Sequence, residues 1–395
     1  MKNEIIEKAN KVIANTYSRF PIVIKEGRGC VVEDVDGKKY IDFIAGIAVC
    51  NLGHAHPAVR DALSDQAGTL LHVSNLYYTI PQVELATWLV EKSFADRVFF
   101  CNSGAEANEA AIKLARKNFT DKGDDNRFRI VTMENSFHGR TMAAMSATGQ
   151  EKVRAGYEPV LVGFDFVPFN NLEALKKAVK PDVCAVMLEP IQGEGGLVMP
   201  EPGFLKEVRE ICDETGALLI FDEIQTGIGR TGKLFAYEHF GVTPDIMTLA
   251  KALGNGMPIG AMLASERAAT SFSPGSHAST FGGTPVITAA SLATLKVMDN
   301  EGIIEQGREA GNYFRNKLLM LKEKHDIIED VRGIGLLLGI KLSQPGADMV
   351  SACMEKGFLI NCIQENVLRF APPLIIKTEE IDALTDCLDE VLGEK

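Results

Sequence analysis

The sequence lacks the features that mark membrane, secreted or nucleic-acid-binding proteins. No stretch reaches the roughly eighteen consecutive apolar residues that a membrane-spanning helix needs. Lys and Arg number 41 against 53 Asp and Glu, and the net charge of −12 argues against a nucleic-acid partner. The eight cysteines form no C-x-x-C pair and lie mostly in apolar stretches, which is typical of buried thiols in a reducing compartment.

The N-terminal residues lack the pattern of a targeting segment. They contain no continuous apolar region, and Glu4 and Glu7 argue against a transit peptide. Ile5, Ala9 and Val12 recur at helical spacing instead, which predicts an amphipathic helix. We therefore expect a cytoplasmic protein that binds no membrane.

The composition that is present is that of a globular protein. Hydrophobic residues make up 46% of the 395 residues and charged residues 24%. This length suffices for a large α/β core with an accessory domain. Near the N-terminus, GCVVEDVDGKKYIDF places Asp36-Gly37 between two strand-like runs, which predicts a hairpin.

Short apolar strands alternate with helices from about residue 80 to 265. VCAVML, ALLIF and IMTLA are apolar throughout, which is typical of parallel strands buried on both faces. Active sites of such sheets lie beyond the carboxyl ends of the strands. Asn102, Glu189, Asp222 and Lys251 each follow an apolar run and are therefore candidate site residues.

The pattern changes after residue 287 to long helices and a few strands, which is typical of a smaller α+β domain. We predict that residues 49–287 form the large domain and residues 288–395 the small domain. Residues 1–48 are expected to join the small domain.

Two motifs match known patterns without the context that those patterns need. GIGRTG, residues 227–232, matches the dinucleotide fingerprint, but DEIQT separates it from the strand and no helix begins within it. The longer segment GIGRTGKL, residues 227–234, differs from a P-loop because Leu234 stands where that motif requires Ser or Thr. His54 and His56 in GHAHP lack a helix or further metal ligands, so we interpret them as hydrogen-bonded turn residues and predict no metal site.

Asp222 and Lys251 together favour pyridoxal phosphate. A strand-end carboxylate can pair with the protonated pyridine nitrogen, and a lysine can form a Schiff base with the aldehyde. Burial and a cationic ring would lower the pKa of that lysine and provide a free amine. A structural ion pair is the alternative for either residue alone, but a lysine is rarely buried without a partner or a task.

The phosphate of such a cofactor needs a cradle. In CNSGAEANEAAIKLAR, Ser103 is a candidate N-cap and Gly104 allows close backbone approach at the start of a helix, where phosphate binds well. Phe137 in FHGRT could stack on a pyridine ring. An ordinary capped helix and a core aromatic are the alternatives.

Six ordered motifs carry a resemblance to a known family: NSGAEANEAAIKLAR, FHGRT, LEPIQGEGG, FDEIQTGIGRTG, LAKALGNGMPIGA and STFGG. They resemble the class III (ω-amino acid) aminotransferases over nearly the whole chain. The resemblance implies an α/β fold of the aspartate-aminotransferase type (fold type I), with a mostly parallel sheet in the large domain. It also implies a homodimer with active sites at the subunit interface.

The resemblance further implies roles for individual residues. Lys251 would be the Schiff-base lysine, Asp222 the partner of the pyridinium nitrogen, and Gln225 a neighbour of the 3′-oxygen. Gly104 and Ala105 would bind the phosphate and Phe137 would cover the ring. Thr280 would reach the phosphate in the other subunit, with Ser279 beside that substrate.

A transaminase must also accept two different amino compounds in turn. Glutamate reacts next to its α-carboxylate, whereas an ornithine derivative that gives up its δ-amine holds its carboxylate further away. Two arginines solve this geometry, because each can bind a carboxylate bidentately. We assign the outer position to Arg140 and the inner one to Arg369, with Glu194 as its exchangeable counter-ion. Alternatively, Arg369 pairs with Glu365 or Glu379.

The amine donor is predicted from one position. Ornithine aminotransferases have a tyrosine where Ile47 aligns, and an apolar pocket suits an acylated amine better than a free ammonium group. We therefore predict N-acetylornithine as the amino donor and 2-oxoglutarate as the acceptor. The alternative donors are ornithine, succinylornithine, succinyldiaminopimelate and 4-aminobutyrate. A decarboxylase or aminomutase would not need both arginines. A non-catalytic binding module would not need the lysine.

Overall fold

The computed structural model describes residues 1–393, which form α/β layers around a central sheet. Within these residues the strands are β1 (Ile24–Arg28), β2 (Val31–Asp34), β3 (Lys39–Asp42), β4 (Arg97–Cys101), β5 (Arg129–Met133), β6 (Phe164–Val167), β7 (Val183–Leu188), β8 (Leu218–Asp222), β9 (Ile246–Leu249), β10 (Gly260–Ala264), β11 (Ile328–Ile334), β12 (Leu337–Leu342), β13 (Phe358–Leu359), β14 (Asn361–Ile363) and β15 (Val367–Phe370).

The helices of the same residues alternate with these strands. They are α1 (Lys2–Val12), α2 (Ala45–Ala48), α3 (Pro57–Thr69), α4 (Ile80–Glu91), α5 (Gly104–Thr120), α6 (Met142–Ala147), α7 (Glu151–Arg154), α8 (Leu172–Ala178), α9 (Phe204–Thr215), α10 (Tyr237–Phe240), α11 (Glu266–Ala269), α12 (Pro285–Asn300), α13 (Ile303–Lys324), α14 (Ala347–Glu355) and α15 (Thr378–Gly393), with a 3-10 turn at Lys251–Leu253.

Seven strands form the central sheet in the order β4-β10-β9-β8-β7-β5-β6. The pairs from β9 through β6 are parallel, and β10 is antiparallel to both of its neighbours. Every residue of β7, β8 and β9 is buried. The prediction of a mostly parallel sheet buried on both faces is therefore confirmed.

Two helical layers bury the faces of this sheet. Ile112 and Leu114 of α5 pack on one face, in a cluster with Ile220 of β8. Val208 of α9 packs on the other face with Leu219 of β8. Neighbouring residues of a strand point to opposite faces, so a continuously apolar strand supplies both layers.

The predicted hairpin is present, and Gly37 forms its turn with a φ of 83°. Its strands belong to a second sheet of order β1-β2-β3-β13, in which β13 lies parallel to β3. A third sheet has the order β11-β12-β15-β14. The N-terminal strands thus share a sheet with residues 358–359. The domain boundaries themselves stay a prediction.

The fully buried Arg230 joins several of these units. Its guanidinium donates to the carbonyl oxygens of Leu336 (3.0 Å) and Pro372, and to the side chain of Asn51. The GIGRTG segment therefore forms turns and a junction between the sheets rather than the start of a helix, as expected.

The first helix, α1, agrees with the amphipathic pattern but buries none of its residues. Ile5 and Val12 are both exposed. Among residues 1–393, no helix is long and apolar enough to cross a membrane.

Candidate active site

A cavity of about 450 Å³ lies at the carboxyl ends of the central strands. Asn102, Glu189, Asp222 and Lys251, the four residues that follow apolar runs, all line it. The N-terminus of α5 and the loop after β8 complete its walls. This volume is suited to a small molecule, since ligand cavities of proteins are commonly a few hundred Å³.

Lys251 lines the cavity just after the end of β9. Its backbone is strained, with a φ of 45° that residues other than glycine rarely adopt. Burial lowers the pKa of its amine, and the positive charge of Arg369 acts in the same direction, whereas Glu194 opposes the shift. The lowered pKa favours a neutral amine, the nucleophilic form of lysine.

Asp222 ends β8 and is held by three donors. Its Oδ2 accepts hydrogen bonds from Asn108 Nδ2 at 2.8 Å and from His138 Nδ1 at 2.7 Å, and Oδ1 accepts from the Ile224 N–H at 3.1 Å. Burial lowers the pKa of His138, but the hydrogen bond to Asp222 and the negative charges of Asp222 and Glu189 together outweigh burial, so the net shift is upward. The carboxylate is thereby fixed in position beside a histidine that favours its negative charge.

Glu189 is a second buried carboxylate in the wall of the cavity. It accepts hydrogen bonds from the N–H groups of Phe137 and Gly193, both at 3.1 Å. Burial raises its pKa to about 7, and the neighbouring Asp222 adds to this increase while His138 opposes it. Its surroundings therefore favour the protonated form more than those of an exposed glutamate do.

The helix α5 begins at the cavity. Ser103 caps it by accepting a hydrogen bond from the Glu106 N–H at 3.2 Å. A Cβ on Gly104 would lie 2.7 Å from the Ile224 side chain, so close packing demands glycine there. Gly104 and Ala105, which line the cavity, open a helix whose first N–H groups have no partner within the helix.

Phe137 and Arg140 lie on the cavity side of the FHGRT segment. Phe137 is half-buried and Arg140 is exposed, with its guanidinium carbon 5.7 Å from the centre of the Phe137 ring. Both residues line the cavity. Among residues 1–393, Arg140 has no carboxylate partner, so its guanidinium is free to bind an anion.

Arg369 approaches the cavity from β15 of the third sheet. Its Nη1 pairs with Glu194 Oε1. The Gln225 amide contacts both residues: its Nε2 donates to Glu194 Oε1 at 3.2 Å, and its Oε1 accepts a hydrogen bond from Arg369 Nη1 at 3.4 Å. The Arg369 side chain is 2% exposed and that of Glu194 28%. The alternative partners, Glu365 and Glu379, do not form this ion pair.

The electrostatics of Glu194 follow from these neighbours. Burial raises its pKa, but the charges of Arg369 and Lys251 outweigh burial, so the net shift is downward. Glycine at position 193 leaves room for the contact between Gln225 and Glu194, because a Cβ there would collide with Gln225 Oε1. Arginine, glutamate and lysine charges are thus coupled at one end of the cavity.

Thr280 and Ser279 are not brought into the cavity of their own chain. Both line a neighbouring surface cavity beside Asn75 and Tyr78. Ser279 Oγ accepts a hydrogen bond from Asn102 Nδ2 at 3.1 Å, which links this loop to the edge of the catalytic cavity.

The predicted donor-selecting residue, Ile47, lies in an unusual backbone. Ala45, Gly46, Ile47 and Ala48 have φ values of 49°, 68°, 67° and 60°, so α2 is a single left-handed turn. Ile47 is 44% exposed, and Val49 after the turn lines the cavity. Left-handed backbone at a β-branched residue costs about 1–3 kcal/mol, and such strain is concentrated at functional sites.

No role for His138, Asn108 or Glu189 could be predicted from the sequence. The motif FHGRT contained a usable signal for His138, since a histidine between a candidate ring-stacking residue and a glycine is adjacent to the site. Asn108 lies within α5 and shows its role only when the helix is docked on the sheet. Glu189 was predicted only as a candidate site residue at the end of a strand, without a stated role.

Comparison with known proteins agrees with this geometry. Residues 12–392 match the family model described as aminotransferase class-III. Acetylornithine aminotransferase of Caldanaerobacter subterraneus subsp. tengcongensis is 52% identical over 391 residues, covering 99% of each chain. The chain belongs to the class-III aminotransferases.

Two solved structures resemble the fold. Acetylornithine aminotransferase of Elizabethkingia anophelis has a TM-score of 0.89 at 35% identity and covers 100% of this chain and 99% of its own. Ornithine aminotransferase of Toxoplasma gondii, crystallized with oxidized glutathione and with pyridoxal phosphate partially occupying its active site, has a TM-score of 0.96 at 33% identity, covering 100% and 96%. The predicted aspartate-aminotransferase-type fold, fold type I, is confirmed.

The residues of the cavity fit the pyridoxal phosphate on which this family depends. A lysine with a lowered pKa, an immobilised strand-end carboxylate and the start of a helix surround one space, and Phe137 offers an aromatic face. The chain is a pyridoxal-phosphate-dependent transaminase, as the motifs predicted.

We predict that Asp222→Asn retains the fold but loses at least about a hundredfold in turnover, the typical effect of removing a preorganised electrostatic partner. Steady-state rates and cofactor content, measured on purified protein, check this. Asp213→Asn, on the exposed side of α9, is the matched control and should retain its rate. Near-normal turnover of Asp222→Asn would mean that Asp222 is only a structural residue.

Proposed function

We propose that the protein moves the δ-amino group of N-acetylornithine to 2-oxoglutarate, giving N-acetylglutamate semialdehyde and glutamate in arginine biosynthesis. The observation that carries this proposal is the buried Arg369–Glu194 pair, whose glutamate lines the cavity together with Lys251 and the unpaired Arg140. Two arginines at different depths are what a cavity needs to accept carboxylates at two positions. The acetylornithine aminotransferases of similar sequence support the choice of donor.

The substrates would bind in turn in the same orientation. Arg140 takes the distant carboxylate of either compound. While N-acetylornithine is bound, Glu194 neutralises Arg369, since an unpaired buried guanidinium would cost several kcal/mol. Glutamate places a second carboxylate at the inner position, and Arg369 then exchanges Glu194 for that carboxylate.

The remaining residues would hold the cofactor and move protons. The cofactor supplies an electron sink that stabilises negative charge at the carbon from which a proton is removed. Asp222 pairs with the ring nitrogen and is oriented by His138. Gln225 would lie near the 3′-oxygen, Ser103, Gly104 and Ala105 would hold the phosphate, and Phe137 would cover the ring.

Lys251 would anchor the cofactor and transfer protons. Its lowered pKa favours the neutral amine, the form in which Nζ would accept a proton from the substrate carbon and return it elsewhere. The apolar residues of the lining, among them Val49, Ile191 and Ile224, exclude water around this step.

The same apolar character supports an acylated donor. Ile47 in the strained turn and Val49 after it have apolar side chains, which offer no hydrogen-bond or charge partner for the free ammonium group of ornithine. Ornithine, succinylornithine, succinyldiaminopimelate and 4-aminobutyrate are the competing donors.

We also propose a homodimer in which each subunit completes the site of the other. Leu76, Tyr77, Tyr78 and Phe281 are exposed next to Thr280, and Tyr78 is 97% exposed. Such a large apolar patch is typical of a protein interface. In the dimer, Thr280 would reach the partner's cofactor phosphate and Ser279 the partner's substrate.

The reaction is proposed to take place in the cytoplasm. All eight cysteines are unpaired in the structure, which suits a reducing compartment.

A panel of amino donors tests the proposed reaction directly. With 2-oxoglutarate as acceptor, we expect the highest kcat/KM for N-acetylornithine among the five donors named above. A tenfold preference for ornithine or 4-aminobutyrate would overturn the assigned donor, and no glutamate formation with any donor would overturn the reaction.

For Arg369→Ala, we predict a much larger loss in the glutamate half-reaction than in the N-acetylornithine half-reaction. Only glutamate places a carboxylate at the inner position, and losing such a contact costs roughly 2–5 kcal/mol, or about thirty- to several-thousand-fold. Single-turnover rates with each donor, followed by the change in cofactor absorbance, measure this difference.

Two further variants separate this effect from indirect ones. Arg140→Ala should slow both half-reactions, because both substrates use the outer position. Arg369→Ala combined with Glu194→Gln removes the carboxylate that the single variant would leave unpaired, and should keep the asymmetry. Equal losses in both half-reactions for both Arg369 variants would make Arg369 a structural residue.

We predict that inactive Lys251→Ala and impaired Thr280→Val subunits restore activity when exchanged into mixed dimers. Each mixed dimer then contains one site with both residues intact and one with neither, so up to about half of its sites recover. Turnover after proven subunit exchange measures the recovery, and Thr270→Val serves as the matched threonine control. No recovery would place Thr280 outside its partner's site.

A further inference from the structure

Asn108 is a fully buried asparagine in the second turn of α5. It follows Gly104 by four residues, so the two lie on the same face of the helix. A Cβ on Gly104 would lie 2.7 Å from the Ile224 side chain, and the close approach that glycine permits brings this face of α5 to the end of β8. Asn108 therefore reaches the strand-end carboxylate of Asp222.

The Asn108 amide makes three hydrogen bonds. Its Nδ2 donates to Asp222 Oδ2 at 2.8 Å and to the His138 carbonyl oxygen at 2.7 Å, and its Oδ1 accepts from the Thr248 hydroxyl at 2.8 Å. A flipped amide would place Oδ1 against a carboxylate and a carbonyl oxygen, neither of which has a proton to donate. The neighbours therefore fix the orientation of the amide, and both of its protons are used.

Thr248 holds this amide from the neighbouring strand. It is fully buried in β9, which pairs with β8 so that Thr248 lies opposite Asp222. A chain of hydrogen bonds thus runs from the Thr248 hydroxyl through Asn108 to Asp222. All three residues lie on a helix or a strand, and such elements hold side chains more precisely than loops do.

The same amide holds His138 through its backbone. The His138 N–H donates to Thr148 Oγ1 at 3.0 Å, and its carbonyl oxygen accepts from Asn108. The imidazole bonds to Asp222 through Nδ1, whereas Nε2 has no hydrogen-bond partner within residues 1–393. The orientation of the ring therefore depends on the two backbone contacts and on Asp222.

The contacts of Asp222 leave an acceptor position open on Oδ1. An ionised carboxylate has about four such positions, divided equally between its oxygens. Among residues 1–393, Asn108 and His138 both donate to Oδ2, and the Ile224 N–H donates to Oδ1 at 3.1 Å. Oδ1 is therefore the oxygen available to a ligand in the cavity, which Asp222 lines.

We propose that Asn108, supported by Thr248, is a positioning residue that occupies Oδ2 of Asp222 and so presents Oδ1 to the ring nitrogen of pyridoxal phosphate. This role rests on the proposed pairing of Asp222 with that nitrogen and specifies which oxygen pairs. Without the amide, the carboxylate has fewer contacts and loses a hydrogen bond that stabilises its negative charge. The protonated ring nitrogen then has a weaker partner.

The test compares the full-length holoenzyme containing pyridoxal phosphate with holoenzyme containing the analogue that has a carbon in place of the ring nitrogen. The analogue keeps the aldehyde and the phosphate but has no nitrogen to pair with Asp222. The ratio of its Kd to the Kd of pyridoxal phosphate, each from equilibrium dialysis, therefore measures the contact at the ring nitrogen. No turnover is needed for this measurement.

For Asn108→Ala, we expect this ratio to fall by at least about fivefold, because a hydrogen bond to a charged group is lost. Asn118→Ala is the matched control and should leave the ratio unchanged. Asn118 is a second buried asparagine of α5, and its amide donates to the Arg267 carbonyl oxygen at 3.1 Å and to Ser271 Oγ at 3.0 Å.

The residue behind the amide provides a second, milder perturbation. Thr248→Val removes the hydroxyl that donates to Asn108 and should lower the ratio, by less than Asn108→Ala does. Thr248→Ser keeps a hydroxyl and should restore the ratio, which a purely structural effect of residue size would not do. If Asn108→Ala does not fold, the two Thr248 variants decide.

Asp222→Asn separates this role from the pairing on which it rests. An unchanged ratio in Asp222→Asn would overturn both the pairing and the role of Asn108. A ratio that falls in Asp222→Asn but stays unchanged in folded Asn108→Ala, or in Thr248→Val where Asn108→Ala does not fold, would overturn the positioning role alone. An equal fall in Asn118→Ala would also overturn it, and Asn108 would then be a structural residue.

Discussion

The ion pair between Arg369 and Glu194 is the interaction on which the arrangement of the catalytic cavity depends. It joins β15 of the third sheet to the loop after β7 of the central sheet, and Gln225 from the loop after β8 contacts both partners. The arginine is almost fully buried, so removing its partner would leave a charge without solvent or counter-ion. The pair also sets the field at Lys251, because Glu194 opposes and Arg369 reinforces the lowering of the lysine pKa.

Several features of the fold serve to hold this pair in place. Arg230 binds carbonyl oxygens at Leu336, just before β12, and at Pro372, just after β15. These two strands pair directly, with Gly339 opposite Arg369. The loop that begins at Asp222 therefore contacts the ion pair through Gln225 and anchors the strand of Arg369 through Arg230.

Much of the central sheet could be predicted from the sequence, because strands buried on both faces are apolar throughout. Lys251 and Asp222 followed from their position at the ends of such strands. Other elements could not be predicted in this way. The strand β10 follows a glycine-rich loop and lies antiparallel to its neighbours, and β6 at the edge of the sheet is only partly buried.

The parts of the site that no local sequence pattern shows depend on tertiary contacts. Arg369 lies on an antiparallel strand 147 positions after Asp222, and its assignment needed the resemblance and the two-carboxylate argument rather than a local pattern. Asn108 of α5 and His138 of the loop after β5 meet Asp222 only in the folded chain. The left-handed turn at Ala45–Ala48 contains a single glycine, so local propensity gave no sign of it.

The central claim is that Glu194 competes with the inner carboxylate of glutamate for Arg369. The most direct test is the ratio of kcat/KM for glutamate to that for N-acetylornithine in Glu194→Gln, compared with the unaltered enzyme. We expect a shift toward glutamate of at least about tenfold, equivalent to roughly 1.4 kcal/mol, because Arg369 is then permanently available. An unchanged ratio, or a shift toward N-acetylornithine, would contradict it.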